Sequence, residues 1–224
     1  MDTDSDSDSD IGTEAELEVR IQPGVPGALG PLGRVAAWIG GRATHGDPPR
    51  VLTTLARHRR LFRRWLPFGA GLLRGTELPR EDVELVILRT AWNCASWYEW
   101  AQHVALAAAA GLDPSTPVRV MEGAGADGWS PRQRALLLGT DELHAHQVIS
   151  DGTWKVLAEE LGELELLELC FVVGHYEMLA MALNSLGVEP EPTTLDRLEA
   201  DPAAAANTLH QTLAARRRDT SSHG

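Results

Sequence analysis

The sequence predicts an all-α protein, and three observations carry that prediction. From Pro48 to about residue 188, apolar residues recur at three- and four-residue spacing, the period of a helix that buries one face. No stretch shows the strict apolar–polar alternation of a half-buried strand. Residues that start and stop helices stand at the ends of the periodic runs. The predicted helices span about 49–58, 60–73, 79–93, 97–110, 115–122, 131–146, 153–161 and 163–186.

The boundaries have physical reasons. Pro79, followed by Glu81 and Asp82, suits a first helical turn, where φ is preset and acids meet the positive end of the dipole. Ser130-Pro131-Arg132-Gln133 reads as a cap, a proline at the first helical position and a capping-box partner. Gly111, Gly162 and Gly187 each follow an apolar run and read as left-handed terminators. The segment 163–186 is apolar nearly all round across Leu166–Val173, which suits a central helix or one shared with a subunit interface. Within it, the stripe Leu164, Leu167, Phe171, Gly174, Met178, Met181 and Ser185 reads as the more core-like face. Four regions follow: a disordered acidic arm over 1–18, a Gly/Pro-rich arm over 19–47, one helical domain over 48–188, and a tail over 189–224 with a weak Ala-rich helix at about 203–217.

Composition narrows the function classes. Of 224 residues, 43% are hydrophobic, enough for a buried core. The formal net charge of −12 argues against wrapping nucleic acid, which needs a basic surface. The charge is uneven: the first 18 residues hold eight acids and no base, leaving the body only mildly acidic. Two cysteines, Cys94 and Cys170, cannot build a secreted disulfide framework. The acidic amino terminus is unlike a secretory signal, and no run of eighteen uninterrupted apolar residues predicts a membrane span. A cytoplasmic protein with no nucleic-acid or membrane partner is expected.

The densest group of unusual residues runs from Glu84 to His103 and holds Arg89, Trp92, Asn93, Cys94, Ser96, Trp97, Tyr98, Glu99 and Trp100. With a helix ending near Asn93 and another beginning after Ser96, Cys94 falls just before an amino terminus, where the dipole favours a thiolate. Glu99 and His103 are four apart and share a helix face, an arrangement that tunes an imidazole for proton transfer. Plainer readings stand beside these. Ser96-x-x-Glu99 is also a capping box, the tryptophans are also packing residues, and a lone cysteine is also a small hydrophobe. His175 reads either as a second acid or as a buried core histidine. His144-x-His146 places its side chains on different helix faces, so no metal site is expected there. A metal site of Glu84, Glu99 and His103 is a lesser reading, and none is adopted. The basic run Arg57-His58-Arg59-Arg60 with Arg63 and Arg64 reads first as a solvated face, and second as an anion grip for the substrate carboxylate of a neighbouring subunit.

The stretch Leu78-Pro-Arg-Glu-Asp-Val-Glu84-Leu-Val-Ile-Leu-Arg89, with Cys94 and Tyr98-Glu99-Trp100-x-x-His103, resembles the carboxymuconolactone decarboxylase family. So do Gly111-Leu112-Asp113-Pro114, Asp141-Glu142-Leu143-His144, Trp154-x-x-Leu157, Gly174-His175-Tyr176-Glu177 and Asn184-Ser185-Leu186-Gly187-Val188. The resemblance covers about 48–188 and implies a compact all-α fold assembled as trimers or hexamers. Alkylhydroperoxidase-type members carry Cys-x-x-Cys-x-x-x-His with a glutamate nineteen residues before the histidine. Here Glu84 stands nineteen before His103, while the two cysteine positions hold Ser96 and Glu99. Without a dithiol, disulfide-based peroxide reduction is disfavoured.

The resemblance therefore implies a cofactor-free acid–base enzyme, a lyase or isomerase acting on a small carboxylated or lactone-type molecule. His103 is the expected acid/base, with Glu84 as its relay and Cys94 or Tyr98 as a hydrogen-bond donor. Trp97 and Trp100 would wall the pocket, and Glu99 and His175 complete the candidate set. Two alternatives remain open. One is a thiol-dependent peroxidase using Cys94, and the other a non-catalytic helical oligomer that binds a ligand.

Overall fold

The computed structural model describes residues 19–25, 27–43 and 46–200. Ten helices order the described chain: α1 (Pro31–Ala43), α2 (Arg50–Leu55), α3 (Arg59–Arg74), α4 (Arg80–Asn93), α5 (Trp97–Ala109), α6 (Thr116–Glu122), α7 (Pro131–His146), α8 (Asp151–Glu160), α9 (Glu163–Leu186) and α10 (Pro192–Ala200). No strand occurs among the described residues. The expected acidic arm at 1–18 and the expected helix at about 203–217 lie outside them.

The fold is organised around α4, which touches α3, α5, α6, α7 and α9. Its residues Asp82 to Leu88 are all buried, so this helix has no solvent face over two turns. One apolar core joins Leu85, Leu88 and Trp92 of α4 to Trp100 and Val104 of α5, Val120 of α6 and Leu137 of α7. A second joins Val83, Val86 and Ile87 to Leu136 of α7, Leu157 of α8 and Leu169 and Val173 of α9. Because α4 turns Leu85, Leu88 and Trp92 to one core and Val83, Val86 and Ile87 to the other, its buried stretch is held in register between two layers. The entry to α4 is pinned by Arg132, whose guanidinium reaches Asp82 at 2.6 Å and Glu165 at 2.6 Å.

Several predicted boundaries are realised as drawn. Glu81 and Asp82 occupy the first turn of α4. The Ser130 hydroxyl accepts from Gln133 N while the Gln133 side chain accepts from Ser130 N, closing the capping box of α7. Gly111 and Gly187 take positive φ of 101° and 67°, the left-handed conformation that ends a helix without a Cβ clash. Gly162 differs: at φ −76° and ψ 165° it caps the amino terminus of α9 instead of terminating α8.

Both flanks pack onto the predicted domain. Residues 31–43 form a regular helix, and Leu29, Ala36 and Ala37 join Ala56 and Phe62 in a small core over α2 and α3. Downstream, Leu198 of α10 enters the core of α4 and α5. The Glu191 carboxylate accepts from Tyr98 Oη at 2.9 Å, and also contacts Arg50 N and Gln102 Nε2. Hydrogen bonds to a buried carboxylate are charge-assisted, so this junction ties α2, α5 and the tail together.

The stripe on α9 is a correction to the sequence reading. Leu164, Leu167, Phe171, Met178 and Met181 are exposed, while Leu166, Leu169, Val172, Val173, Leu179 and Leu183 form the buried face. A helix apolar on nearly all sides offers no periodic cue to which face turns inward. By length and hydropathy α9 also meets the measure of a membrane-crossing helix, and half of that stretch is packed inside the fold.

Candidate functional site

Packing α4 against α5 brings together residues that the sequence separates by almost twenty positions. Glu84 Oε2 lies 2.7 Å from His103 Nδ1, and the Glu84 side chain is wholly buried. The other Glu84 oxygen forms an ion pair with Arg80, one turn earlier on α4. With Nδ1 donating to the carboxylate, the imidazole keeps its Nε2 lone pair for other work. The edge of the Tyr176 ring meets His103 at nearly a right angle, 5.1 Å between centroids. Buried Tyr176 therefore belongs to the site, although the sequence reading gave it no role. Its only sequence signal was its place beside His175 in the Gly174-His175-Tyr176-Glu177 motif.

Glu99 stands one turn before His103 and is buried, with no hydrogen-bond partner on either carboxylate oxygen among the described residues. Burial pushes its pKa up to about 8, and the nearby Ser96 hydroxyl offsets this only in part. Glu99 is therefore predominantly a neutral acid at pH 7, able to give a proton that an ordinary carboxylate would already have lost. Ser96 does cap α5 by position, but its side chain makes no capping hydrogen bond. The capping-box reading of Glu99 is thus not realised.

Other candidates fall elsewhere. Tyr98 is buried at the tail junction, its hydroxyl donating to Glu191 and accepting from Val51 N at 3.1 Å. It is occupied there, which removes it as a donor to an oxyanion at His103. Trp97 and Trp100 join Trp92 in the apolar core, where the Trp92 and Trp100 rings lie 5.9 Å apart. They support α4 and α5. A cavity of about 480 Å³ beside α5 and α10, lined by Ala101, Val104, Leu112 and Leu198, contains none of Glu84, Cys94, His103 or His175.

His175 is buried among aromatic rings. It stacks on Trp65 at 6.1 Å, meets Phe68 edge-on at 5.4 Å, and meets Tyr176 at 5.3 Å. The α3 backbone approaches closely at Gly69, where a Cβ would come within 3.2 Å of His175 Nε2. Burial lowers the pKa of His175 and favours the neutral ring. Tyr176 thus touches both histidines.

Cys94 caps the end of α4, and Ala95 beside it takes a left-handed φ of 49°, so the chain turns into α5 within three residues. The thiolate expected before a helix start is not favoured. Burial first, then the charges of Glu177 and Glu99, pushes the thiol up to about 12. Cys94 Sγ lies 3.8 Å from His144 Nδ1, and that nitrogen is also 2.8 Å from Glu177 Oε1. These three side chains are the described group able to hold a metal ion. His146 is exposed and takes no part, as expected for residues two apart on a helix. Cys94 and Cys170 form no disulfide. The basic run from Arg57 to Arg64 keeps its arginines exposed.

Comparison with known proteins agrees with this architecture. Residues 59–142 match the model of the Carboxymuconolactone decarboxylase family. A crystal structure described as an alkylhydroperoxidase AhpD core, an uncharacterized peroxidase-related protein from Ralstonia eutropha JMP134, is similar with a TM-score of 0.71. It is 19% identical, over 78% of this chain and 93% of that one. An uncharacterized peroxidase-related protein from Silicibacter sp. TM1040 is 16% identical, with a TM-score of 0.69 over 81% of this chain and 94% of that one. A cysteine-to-alanine variant of the debrominase Bmp8, solved in complex with 2,3,4-tribromopyrrole, is 14% identical, with a TM-score of 0.69 over 82% of this chain and 99% of that one. Among curated proteins none matches the sequence.

Proposed function

We propose, from the chemistry of its buried acid–base cluster and the match of residues 59–142 to the Carboxymuconolactone decarboxylase family model, that this chain is a proton-transfer enzyme of that family. The reaction is of lyase or isomerase type, on a small carboxylated or lactone-type molecule. The observation that carries this reading is the 2.7 Å Glu84–His103 pair, with the neutral acid Glu99 one turn away.

The chemistry divides between the groups. In a decarboxylation, the bond to the carboxylate carbon breaks, CO2 departs, and its electron pair passes into a conjugated carbonyl or lactone to form an enolate. The enolate carbon then takes a proton. His103 exchanges that proton through Nε2, while Glu84 fixes the tautomer and steadies the imidazolium. Glu99 returns a proton to the site, and its buried surroundings keep that proton in place near neutral pH. Exclusion of water strengthens each of these interactions, since the low dielectric screens them little. For an isomerase the same groups move a proton between two carbons, with no bond to carbon dioxide broken.

A homo-oligomer, trimeric or hexameric, belongs to the same proposal. The exposed stripe of α9 continues onto α3 through Phe68, which meets Phe171 edge-on at 6.5 Å. Such an apolar surface favours burial against another copy.

The second reading, a peroxidase using Cys94 with an external thiol, is favoured by the nearness of that thiol to His144. It takes second place because the thiol's surroundings hold it protonated. One experiment separates the two. CO2 release from β-keto acids and carboxylated lactones, and thiol-dependent loss of peroxide, are measured in the wild type, His103→Gln and Cys94→Ser. The proposal expects the first activity, lost in His103→Gln. Peroxide consumption lost in Cys94→Ser, without lyase turnover, would replace it with the second reading.

A further inference from the structure

Three elements meet away from the Glu84–His103 pair, and each brings one side chain of a different chemistry. Cys94 closes α4, His144 lies in the last turn of α7, and Glu177 lies in the middle of α9. Their sulfur, nitrogen and oxygen atoms all fall within 4.8 Å of one another. The decisive detail is that both neighbours approach the same ring nitrogen, Sγ at 3.8 Å and Oε1 at 2.8 Å from His144 Nδ1. A nucleophile–base–acid triad needs the thiol on one imidazole nitrogen and the carboxylate on the other. A single nitrogen cannot donate to a carboxylate and accept a thiol proton at once. Three donors that converge on one point instead surround a common centre, as ligands surround a cation.

We propose that Cys94, His144 and Glu177 form a binding site for one divalent transition-metal ion of the zinc class. Sulfur, imidazole and carboxylate together match a borderline-soft cation, whereas magnesium and calcium take oxygen ligands. Ordinary zinc–ligand bonds in a tetrahedron place the donor atoms about 3.3–3.7 Å apart. The two pairs at His144 Nδ1, 3.8 and 2.8 Å, bracket that range, so side-chain movements of about half an ångström bring both of them to it.

The backbone around the three ligands is tied in place. Asp141, one turn before His144, accepts from Arg89 Nε at 2.6 Å and from Asn93 Nδ2 at 2.8 Å. Asn93 is the neighbour of Cys94, so this clamp sets the end of α4 against α7. Asn184, two turns beyond Glu177, donates to the Cys94 carbonyl at 3.0 Å and sets the same turn against α9. Outer hydrogen bonds of this kind orient the residues that bind metals. Three protein ligands leave a fourth position for water or a small anion, and the His144 side chain is 36% exposed, which gives solvent a route. An open site of this form is the catalytic pattern and not the closed structural one.

The test uses the full chain, stripped with a chelator and titrated with Co2+ alone, then with Zn2+. The site predicts one Co2+ per chain with a near-ultraviolet thiolate-to-cobalt charge-transfer band, displaced by Zn2+. Cys94→Ser loses the band, and His144→Ala and Glu177→Gln each weaken zinc binding by more than about tenfold, at least the loss seen for outer-shell partners. A readout without substitution accompanies these: zinc slows alkylation of Cys94 in the wild type, with Cys170 as the internal control. Absence of the band in the wild-type protein, its survival in Cys94→Ser, or alkylation of Cys94 indifferent to zinc would each overturn the proposal.

Discussion

Two histidine–glutamate pairs stand on this fold with nearly the same separation and opposite surroundings. His103 and Glu84 meet at 2.7 Å with side chains 9% and 0% exposed, whereas His144 and Glu177 meet at 2.8 Å with side chains 36% and 18% exposed. The inner pair sits where α4 is buried on all sides, against a tyrosine ring and near a carboxylic acid held neutral by its surroundings. The outer pair sits where three helices end or cross, against a thiol and within reach of solvent. Equal hydrogen bonds therefore carry different chemistry. Burial suits the inner pair to the proton transfer proposed for it, because neighbouring charges are screened less there than at the surface. Partial exposure leaves the outer pair screened, and open to an ion that enters from water.

Substitution tells the two pairs apart, and the largest effect belongs to the inner pair. Glu84→Gln keeps the shape but removes the charge that steadies the imidazolium, so kcat/KM falls by about 10²–10⁴, as loss of acid–base assistance does. Circular dichroism of the variant should match the wild type. A loss below threefold would mean that the pair is structural.

Glu99 gives the next effect, through pH. As an acid it works only while protonated, so kcat/KM declines as pH rises through about 8, and Glu99→Gln removes that limb along with most of the activity. The same group shapes stability. Its pKa is raised from 4.5 to about 8 on folding, so the folded state holds a proton that the unfolded chain releases in that window. Its contribution is complete below the unfolded value and is lost as pH rises, at up to about 1.4 kcal/mol per pH unit. Thermal melts of the wild type should show Tm falling between those pH values, with a flatter profile in Glu99→Gln. Parallel profiles would show that Glu99 ionises normally.

Smaller effects lie outside both pairs. Phe171→Glu places a charge in the exposed stripe of α9, and sedimentation should shift from oligomer toward monomer; an unchanged mass would remove the stripe from any interface. Tyr98→Phe deletes one hydrogen bond to the buried Glu191 carboxylate, at a cost of about 1–2 kcal/mol in denaturant unfolding. Its turnover should match the wild type, and a loss of kcat would return Tyr98 to the reaction.

Much of the core was legible in the sequence because its signals are local. A capping serine with its glutamine at α7, acids in the first turn of α4, and glycines after α5 and α9 act within a few residues. The flank helix α1 was missed because its Gly- and Pro-rich surroundings read as irregular, although Leu29, Ala36 and Ala37 find a core over α2 and α3. Glu84 and His103 were paired through a spacing taken from the family resemblance, and the packing of α4 on α5 gives that spacing its geometry. Cys94 shows the limit of the local argument. A helix start predicted a thiolate, but burial and two carboxylates outweigh the dipole. The convergence of Cys94, His144 and Glu177 spans fifty and thirty-three residues of chain, a distance no periodicity encodes. The α9 stripe was assigned inward for the related reason that an apolar sequence does not say which neighbour covers it.

The most direct test of the central claim follows a proton to carbon. Carboxylated lactones and β-keto acids are incubated in D2O with wild-type protein and with His103→Gln, reading CO2 release and deuterium at the product carbon. The account predicts CO2 release with one carbon-bound deuterium per turnover in the wild type, and neither in His103→Gln. Equal CO2 release and labelling by the two proteins would contradict it.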